Sequence, residues 1–247
     1  MSGATGNPFL VTCEHASNRL PARYGTLGLD PARLNEHIAW DPGAREIARA
    51  LGRKLGCPIH EGRYSRLLID LNRSPTHPKL IAQRSFGVEI PGNRNLDSCE
   101  RERRVREIWT PYREKVLSGI RARIGRAGRC IHFSAHTFTP VVDGVERDAC
   151  AALLYDPSRE FEVEIVGQMA AALKARGIRV RRNYPYRGVS DGLVTAARRL
   201  FAGHEYAGIE IEVSQKLLEP EIELRRIAGL VASSAASVDF PKLAPSR

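Results

Sequence analysis

Apolar residues along this chain follow two alternating rhythms: short runs rich in branched side chains, and longer windows in which they recur three and four positions apart. The short runs predict strands over residues 8–13, 67–71, 130–135, 151–155, 178–180 and 208–213. The longer windows predict helices over residues 42–55, 98–123, 158–176, 192–201 and 219–235, with Asp41 and Ser158 placed to cap two of them. Strand and helix in alternation predict an α/β fold. The expectation is a single domain over residues 1–247, with a mostly parallel mixed sheet covered by helices on both faces. Residues 73–97 are rich in Pro, Gly and Asn without periodicity, so they are expected to form a long surface loop over one end of the sheet. Ligands of open α/β sheets gather beyond the carboxyl ends of strands, which directs attention to the polar residues there.

Composition narrows the classes. With 247 residues and 43% hydrophobic content the chain is long enough for one large core. No basic segment followed by an apolar run opens it, and no membrane-length apolar stretch occurs, so neither secretion nor membrane association is expected. Five cysteines, spread out and without a CxxC pair, read as reduced thiols of a cytoplasmic protein. The net charge of +10 raises the question of nucleic acid. Its distribution answers it, because in residues 100–114 the arginines interleave with glutamates as on a solvated, ion-paired helix face. Aromatic residues make up only 6% and form no stripe with the basic ones, so no nucleic-acid partner is expected.

Candidate chemistry sits at the strand ends. The first strand runs into Glu14-His15, and the strand over 130–135 ends in His136, with His132, Ser134 and His136 on one side by the two-residue period. Two strands that each terminate in a histidine suggest imidazole ligands for a catalytic divalent metal. A third ligand is required while one position stays open for water, and Asp41 and Glu14 are the candidates. Asp41, before Pro42 at a helix start, reads equally as an N-cap. Glu14 would point to the opposite side if its strand continued. In residues 208–213, alternation sends Glu210 and Glu212 to one face and the aliphatics to the other. Glu212, nearer the strand end, is the candidate general base, with Glu210 its competitor. Further along, an apolar run exits into Asn72-Arg73, whose guanidinium fork suits a substrate carboxylate, and Arg187 in a Tyr-Arg-Gly turn offers a second anion contact.

Taken together, these segments resemble the N-formylglutamate amidohydrolase family. The resemblance rests on Val11-Thr12-Cys13-Glu14-His15-Ala16-Ser17-Asn18, His37-Ile38-Ala39-Trp40-Asp41-Pro42-Gly43-Ala44, Tyr64-Ser65-Arg66 through Asp70-Leu71-Asn72-Arg73, Ile90-Pro91-Gly92-Asn93, His136-Thr137-Phe138-Thr139-Pro140 and the strand ending at Glu212. It implies a phosphorylase/hydrolase-like fold similar to zinc carboxypeptidases and aspartoacylases. It also implies Zn2+ (or another divalent metal) held by His15 and His136, Glu212 as general base, and Asn72-Arg73 on a carboxylate. Arg66, in the same motif, joins Asn72, Arg73 and Arg187 as a candidate substrate-binding residue. The carboxypeptidases place a zinc glutamate three residues after the first histidine, where this chain has Asn18, so the third ligand stays open between Asp41 and Glu14. The implied reaction is hydrolysis of N-formyl-L-glutamate, a step of histidine degradation, or of another small N-acyl amino acid, by a monomer or homo-oligomer. A carboxypeptidase or cell-wall amidase would use the same core on a larger substrate.

Overall fold

A computed structural model describes residues 6–201, 203 and 205–239. In chain order the first half forms β1 (Phe9–Cys13), α1 (Ala44–Leu55), β2 (Ile59–Glu61), β3 (Arg84–Ser85), β4 (Val88–Glu89), α2 (Ser98–Arg104) and α3 (Thr110–Ala127). The second half forms β5 (Cys130–Phe138), β6 (Val141–Val142), β7 (Val145–Glu146), β8 (Ala151–Leu154), α4 (Glu160–Lys174), β9 (Val180–Arg182), α5 (Leu193–Leu200), β10 (Tyr206–Ser214) and α6 (Glu221–Ala236). Six strands make one sheet in the order β2-β1-β5-β10-β8-β9, parallel throughout except where β10 meets β8. β3–β4 and β6–β7 are separate two-stranded hairpins. The expected mixed, mostly parallel sheet is therefore present, with helices on both faces.

The two faces differ because the central strands alternate. On β5 and β10, Ile131, Phe133, Ala135, Ile209, Ile211 and Val213 enter the main core with the apolar sides of α1, α4 and α6. In α1 the buried positions Ala44, Ile47, Ala48, Leu51 and Leu55 fall at helical spacing. Leu51 is fully buried, so its truncation to Ala would cost about 2–5 kcal/mol. The other face is apolar only near the amino ends of the strands, where Leu10, Cys130 and Tyr206 pack on α3 and α5. Towards the carboxyl ends that face turns polar, through Thr12, Ser134, His136, Glu210 and Glu212, all buried. Loops roof it, around satellite apolar clusters that include Leu27, Ile38, Leu67 and Ile90, and Ile69 with Leu80.

Several local expectations need correction. Residues 67–71 are turns, not a strand: Asp70 N donates to Leu80 O and Arg73 N to Asp70 O, and Leu67, Leu68 and Ile69 are apolar because they fill the satellite clusters. A short apolar run cannot by itself distinguish these environments. The helix expected over 98–123 is two helices joined through a π-helical turn at Val105–Trp109. Its basic residues are not all solvated, since Arg104 and Arg113 are buried and donate to the carbonyls of Leu68 and Leu71. Neither expected cap forms. Gly43, in the left-handed region, takes the cap position of α1, which frees the Asp41 side chain, while Ser158 Oγ bonds Asp156 instead of α4. Residues 73–97 do form the expected irregular segment, broken by the β3–β4 hairpin and a 3-10 turn at Pro91–Asn93. No described helix is long and apolar enough to cross a membrane.

Candidate metal centre

β1 ends at Cys13, and the chain then turns so that both following residues reach the polar face. Glu14 continues the alternation of Thr12, so it points to that face, and the expected opposition of Glu14 and His15 is lost because the strand does not continue. His15 is carried there by the turn, which is fixed by Asp41 N donating to His15 O. The exit of β2 packs tightly alongside, with Gly62 N donating to Cys13 O. A Cβ on Gly62 would overlap the Glu14 carbonyl, so glycine is required for this approach.

His15, Asp41 and His136 converge, with ligand-capable atoms all within 4.8 Å of one another. Asp41 Oδ2 lies 3.2 Å from His15 Nδ1 and 2.9 Å from His136 Nδ1. Both rings thus turn Nδ1 toward one carboxylate oxygen. Each Nε2 faces a different carboxylate: His15 reaches Asp70 Oδ1 at 2.7 Å, and His136 reaches Glu14 Oε2 at 3.0 Å and Ser134 Oγ at 2.9 Å. Ser134 donates in turn to Glu14 Oε2 at 2.6 Å, and the Tyr112 hydroxyl lies 3.0 Å from Glu14 Oε1. Arg66 spans the cluster from one side, with Nη1 3.0 Å from Asp41 Oδ1 and Nη2 3.3 Å from Asp70 Oδ2. Of the two candidates for a third ligand, Asp41 sits among the histidines and Glu14 behind one of them. Asn18 bonds Asn35, away from the cluster.

The electrostatics of this cluster demand positive charge. Burial opposes protonation of both histidines. The carboxylates around them outweigh it, Asp70 and Asp41 for His15 and Asp41 and Glu14 for His136, and raise both imidazoles above their usual range. Burial likewise opposes ionisation of Asp41, Asp70 and Glu14. The histidines reverse this, joined by Arg66 for the two aspartates and by Ser134 for Glu14, and hold all three carboxyls below the usual range. A divalent cation would meet the same demand with two imidazole nitrogens and one carboxylate oxygen, a donor set that zinc accepts. The outer carboxylates would fix the ring orientations, as such partners do for metal-ligating histidines.

Glu212 is paired across the sheet with His136, and Glu210 with Ser134. Both are buried. Glu212 Oε2 has no hydrogen-bond partner among the described residues, an uncommon state for a buried carboxylate oxygen. Burial, reinforced by Asp41 and Glu210 and opposed by His136 and His15, pushes the Glu212 carboxyl up to about 8. Glu210 is also raised by burial, although Asn72 bonds it. Asn72 Oδ1 accepts from Leu193 N at 2.8 Å, which ties it to the start of α5. Arg73 Nη1 donates to Asp191 O at 3.0 Å and keeps its Nε 3.9 Å from Asp70.

One cleft of about 500 Å³ is lined by His15, Asp41, His136, Glu210 and Glu212 together with Arg66, Asn72, Arg73 and Arg187, whereas Glu14, His132 and Ser134, also singled out from the sequence, are buried and do not line it. Sequence reasoning missed Asp70, although it lies inside the motif between Arg66 and Asn72. It also gave Ser134 no role beyond sharing a side with His136. Tyr112 carried no signal, since nothing in a helical stretch marks a tyrosine whose hydroxyl reaches Glu14.

Comparison with known proteins extends this picture. The sequence model of the N-formylglutamate amidohydrolase family matches residues 7–218. Among solved structures, gene product Atu2144 from Agrobacterium tumefaciens is 34% identical with a TM-score of 0.83, over 95% of this chain and 91% of that one. N-formylglutamate amidohydrolase from Ralstonia eutropha JMP134 has the same fold at 20% identity, with a TM-score of 0.71 and 96% of each chain covered. No curated protein sequence matches the chain.

Proposed function

The chain belongs to the N-formylglutamate amidohydrolase family, and from that membership we propose a zinc-dependent amidohydrolase that cleaves the linear amide of a small N-acyl amino acid, with N-formyl-L-glutamate the first candidate. The products would be formate and L-glutamate. The observation that carries the zinc requirement is the convergence of His15 Nδ1, His136 Nδ1 and Asp41 Oδ2, each histidine backed by a carboxylate on its far nitrogen.

Zinc held by these three residues would supply Lewis acidity, polarising the scissile carbonyl and acidifying a water. Glu212 stands beside His136 on the neighbouring strand with an unpartnered oxygen. It is assigned to take a proton from the attacking water and pass it to the leaving nitrogen. Arg73 and Asn72 are assigned to one substrate carboxylate and Arg187 to the second, as forked guanidinium groups suit carboxylate pairs. Arg66, the remaining candidate, lines the same cleft, and its terminal nitrogens hold Asp41 and Asp70 in place.

The test is a hydrolysis screen of N-formyl and N-acetyl amino acids with the zinc-loaded protein, reading free amine and formate. Turnover of N-formyl-L-glutamate ahead of neutral N-formyl amino acids supports the reading. No turnover of any N-acyl amino acid by protein of full zinc content overturns it.

A further inference from the structure

The cleft carries more positive charge than this substrate uses. Arg66 is engaged by aspartates, and Arg73 and Arg187 are assigned above to the two carboxylates of the amino-acid half. Lys79 and Arg84 also line the cleft, both exposed, and neither side chain has an acidic partner among the described residues. For Arg84 the reason is visible in the hairpin: its cross-strand neighbour is Glu89, whose carboxylate is held by Arg94. Arg84 therefore stays free at the cleft.

Arg84 belongs to a different wall from the one assigned to the amino-acid half, while Lys79 precedes Leu80, whose carbonyl accepts from Asp70 N. Arg73 and its neighbour Ser74 are tied to Asp191, close in sequence to Arg187. The hairpin bearing Arg84 is tied instead to the segment leading into Asp41, through Ser85 Oγ on Ile38 O at 3.4 Å and the Phe86 ring against His37. Phe86, half exposed, adds an apolar edge to the same wall. A cleft of about 500 Å³ falls within the roughly 300–1,000 Å³ range of sites for drug-sized ligands. A formyl group, the smallest acyl group, would leave that wall unused.

We infer that Lys79 and Arg84 form an outer anion subsite for the acyl half of the substrate, so that the preferred substrates are N-acyl amino dicarboxylates whose acyl chain ends in a carboxylate of its own. This rests on the amidohydrolase reading and narrows its substrate class. The reaction is unchanged: water adds to the acyl carbon, the carbon–nitrogen bond breaks, and the proton goes to the departing amine. A dicarboxylate and an amino acid are released.

The experiment compares N-glutaryl-L-glutamate with N-pentanoyl-L-glutamate, which has the same acyl length without the charge, and with N-formyl-L-glutamate. Wild-type enzyme should favour glutaryl over pentanoyl by about tenfold in kcat/KM, the scale of one well-placed charge pair, and lose that preference in high salt. In the Lys79→Gln/Arg84→Gln double variant the ratio should fall to near one, with rates on the pentanoyl and formyl compounds within about twofold of wild type. Equal rates on the glutaryl and pentanoyl compounds in wild type, or a preference that survives in the double variant, overturn the subsite while leaving the amidohydrolase reading intact. If no N-acyl glutamate turns over, that reading falls. Calorimetry of the zinc-loaded protein with the same two compounds then still decides the subsite, and equal Kd values for glutaryl and pentanoyl reject it.

Discussion

Asp70 Oδ1 lies 2.7 Å from His15 Nε2, on the side of the ring away from Asp41. The same carboxylate accepts from Asn72 N and pairs with Arg66, so one aspartate links the candidate metal centre to the candidate substrate wall. Asp70→Asn keeps the shape and removes the charge that orients His15. Zinc affinity should drop by about tenfold to a hundredfold, as is usual when an outer-shell partner is lost. Competition with a chromogenic chelator measures this. Much of the activity should return at saturating zinc, and unchanged affinity would confine Asp70 to a structural role.

Glu212→Gln should lower kcat by roughly a hundredfold to ten-thousandfold, the usual contribution of positioned proton transfer, with zinc content retained. Glu210→Gln, one pair of residues deeper on β10 and bonded to Asn72, should have a smaller effect. The reverse ranking would exchange their roles. Loss of zinc from Glu212→Gln would make it a ligand.

A base must be ionised to act, so activity should be present above the Glu212 pKa and fall as pH drops through it. Without a cation in the site, burial holds this carboxyl up at about 8. A divalent cation beside it favours the charged form, so the acid limb of kcat in loaded enzyme should lie below that value. Stopped assays across pH 5 to 9 would locate the limb, and Glu212→Gln should flatten it.

Much of this site was legible because it follows the pleat. Ile209, Ile211 and Val213 face the core while Glu210 and Glu212 face the other way, and His132, Ser134 and His136 share that polar side across β5. Such alternation is a property of the strand itself and can be read from spacing alone. The turns after strands lack that property. Glu14 and His15 were expected on opposite sides of a continuing strand, but β1 ends at Cys13 and His15 reaches the same face as Glu14 through a turn held by Asp41 N. The apolar run over 67–71 imitates a strand because Leu67, Leu68 and Ile69 are buried by loops from distant parts of the chain. β2, three residues on the sheet edge, is too short to leave a period. Asp70 escaped for a related reason: its role depends on where a turn aims it.

Arg73→Lys should weaken binding of the free acid and spare its neutral amide analogue, because a single ammonium replaces a fork that can hold two oxygens. Wild type should prefer the acid strongly, and the variant should lose most of that preference in KM. Equal losses on both compounds would assign Arg73 to the wall itself, through its bond to Asp191 O.

His132 supplies a test that does not involve the reaction. It is fully buried, with Nε2 2.8 Å from Thr12 Oγ1 and Nδ1 2.8 Å from the Tyr206 hydroxyl. Burial, opposed by Glu14 and assisted by His60 and nearby arginines, lowers its pKa to about 4 from 6.5. The unfolded chain therefore binds a proton near pH 6.5 that the folded protein refuses until about pH 4. Stability is full above the unfolded value and declines as pH falls toward the folded one. At about 1.4 kcal/mol per pH unit, the His132 contribution between pH 6.5 and pH 5 is a loss of about 2 kcal/mol. His60, also lowered to about 4 by burial, adds a slope of the same sign, so the comparison must be between proteins and not with a flat line. Denaturant unfolding of the metal-free protein at both pH values should show His132→Gln losing less stability on acidification than wild type, by about that amount. Parallel losses in the two proteins would mean that His132 accepts a proton inside the fold, and that the Thr12 and Tyr206 hydroxyls rearrange to accommodate it.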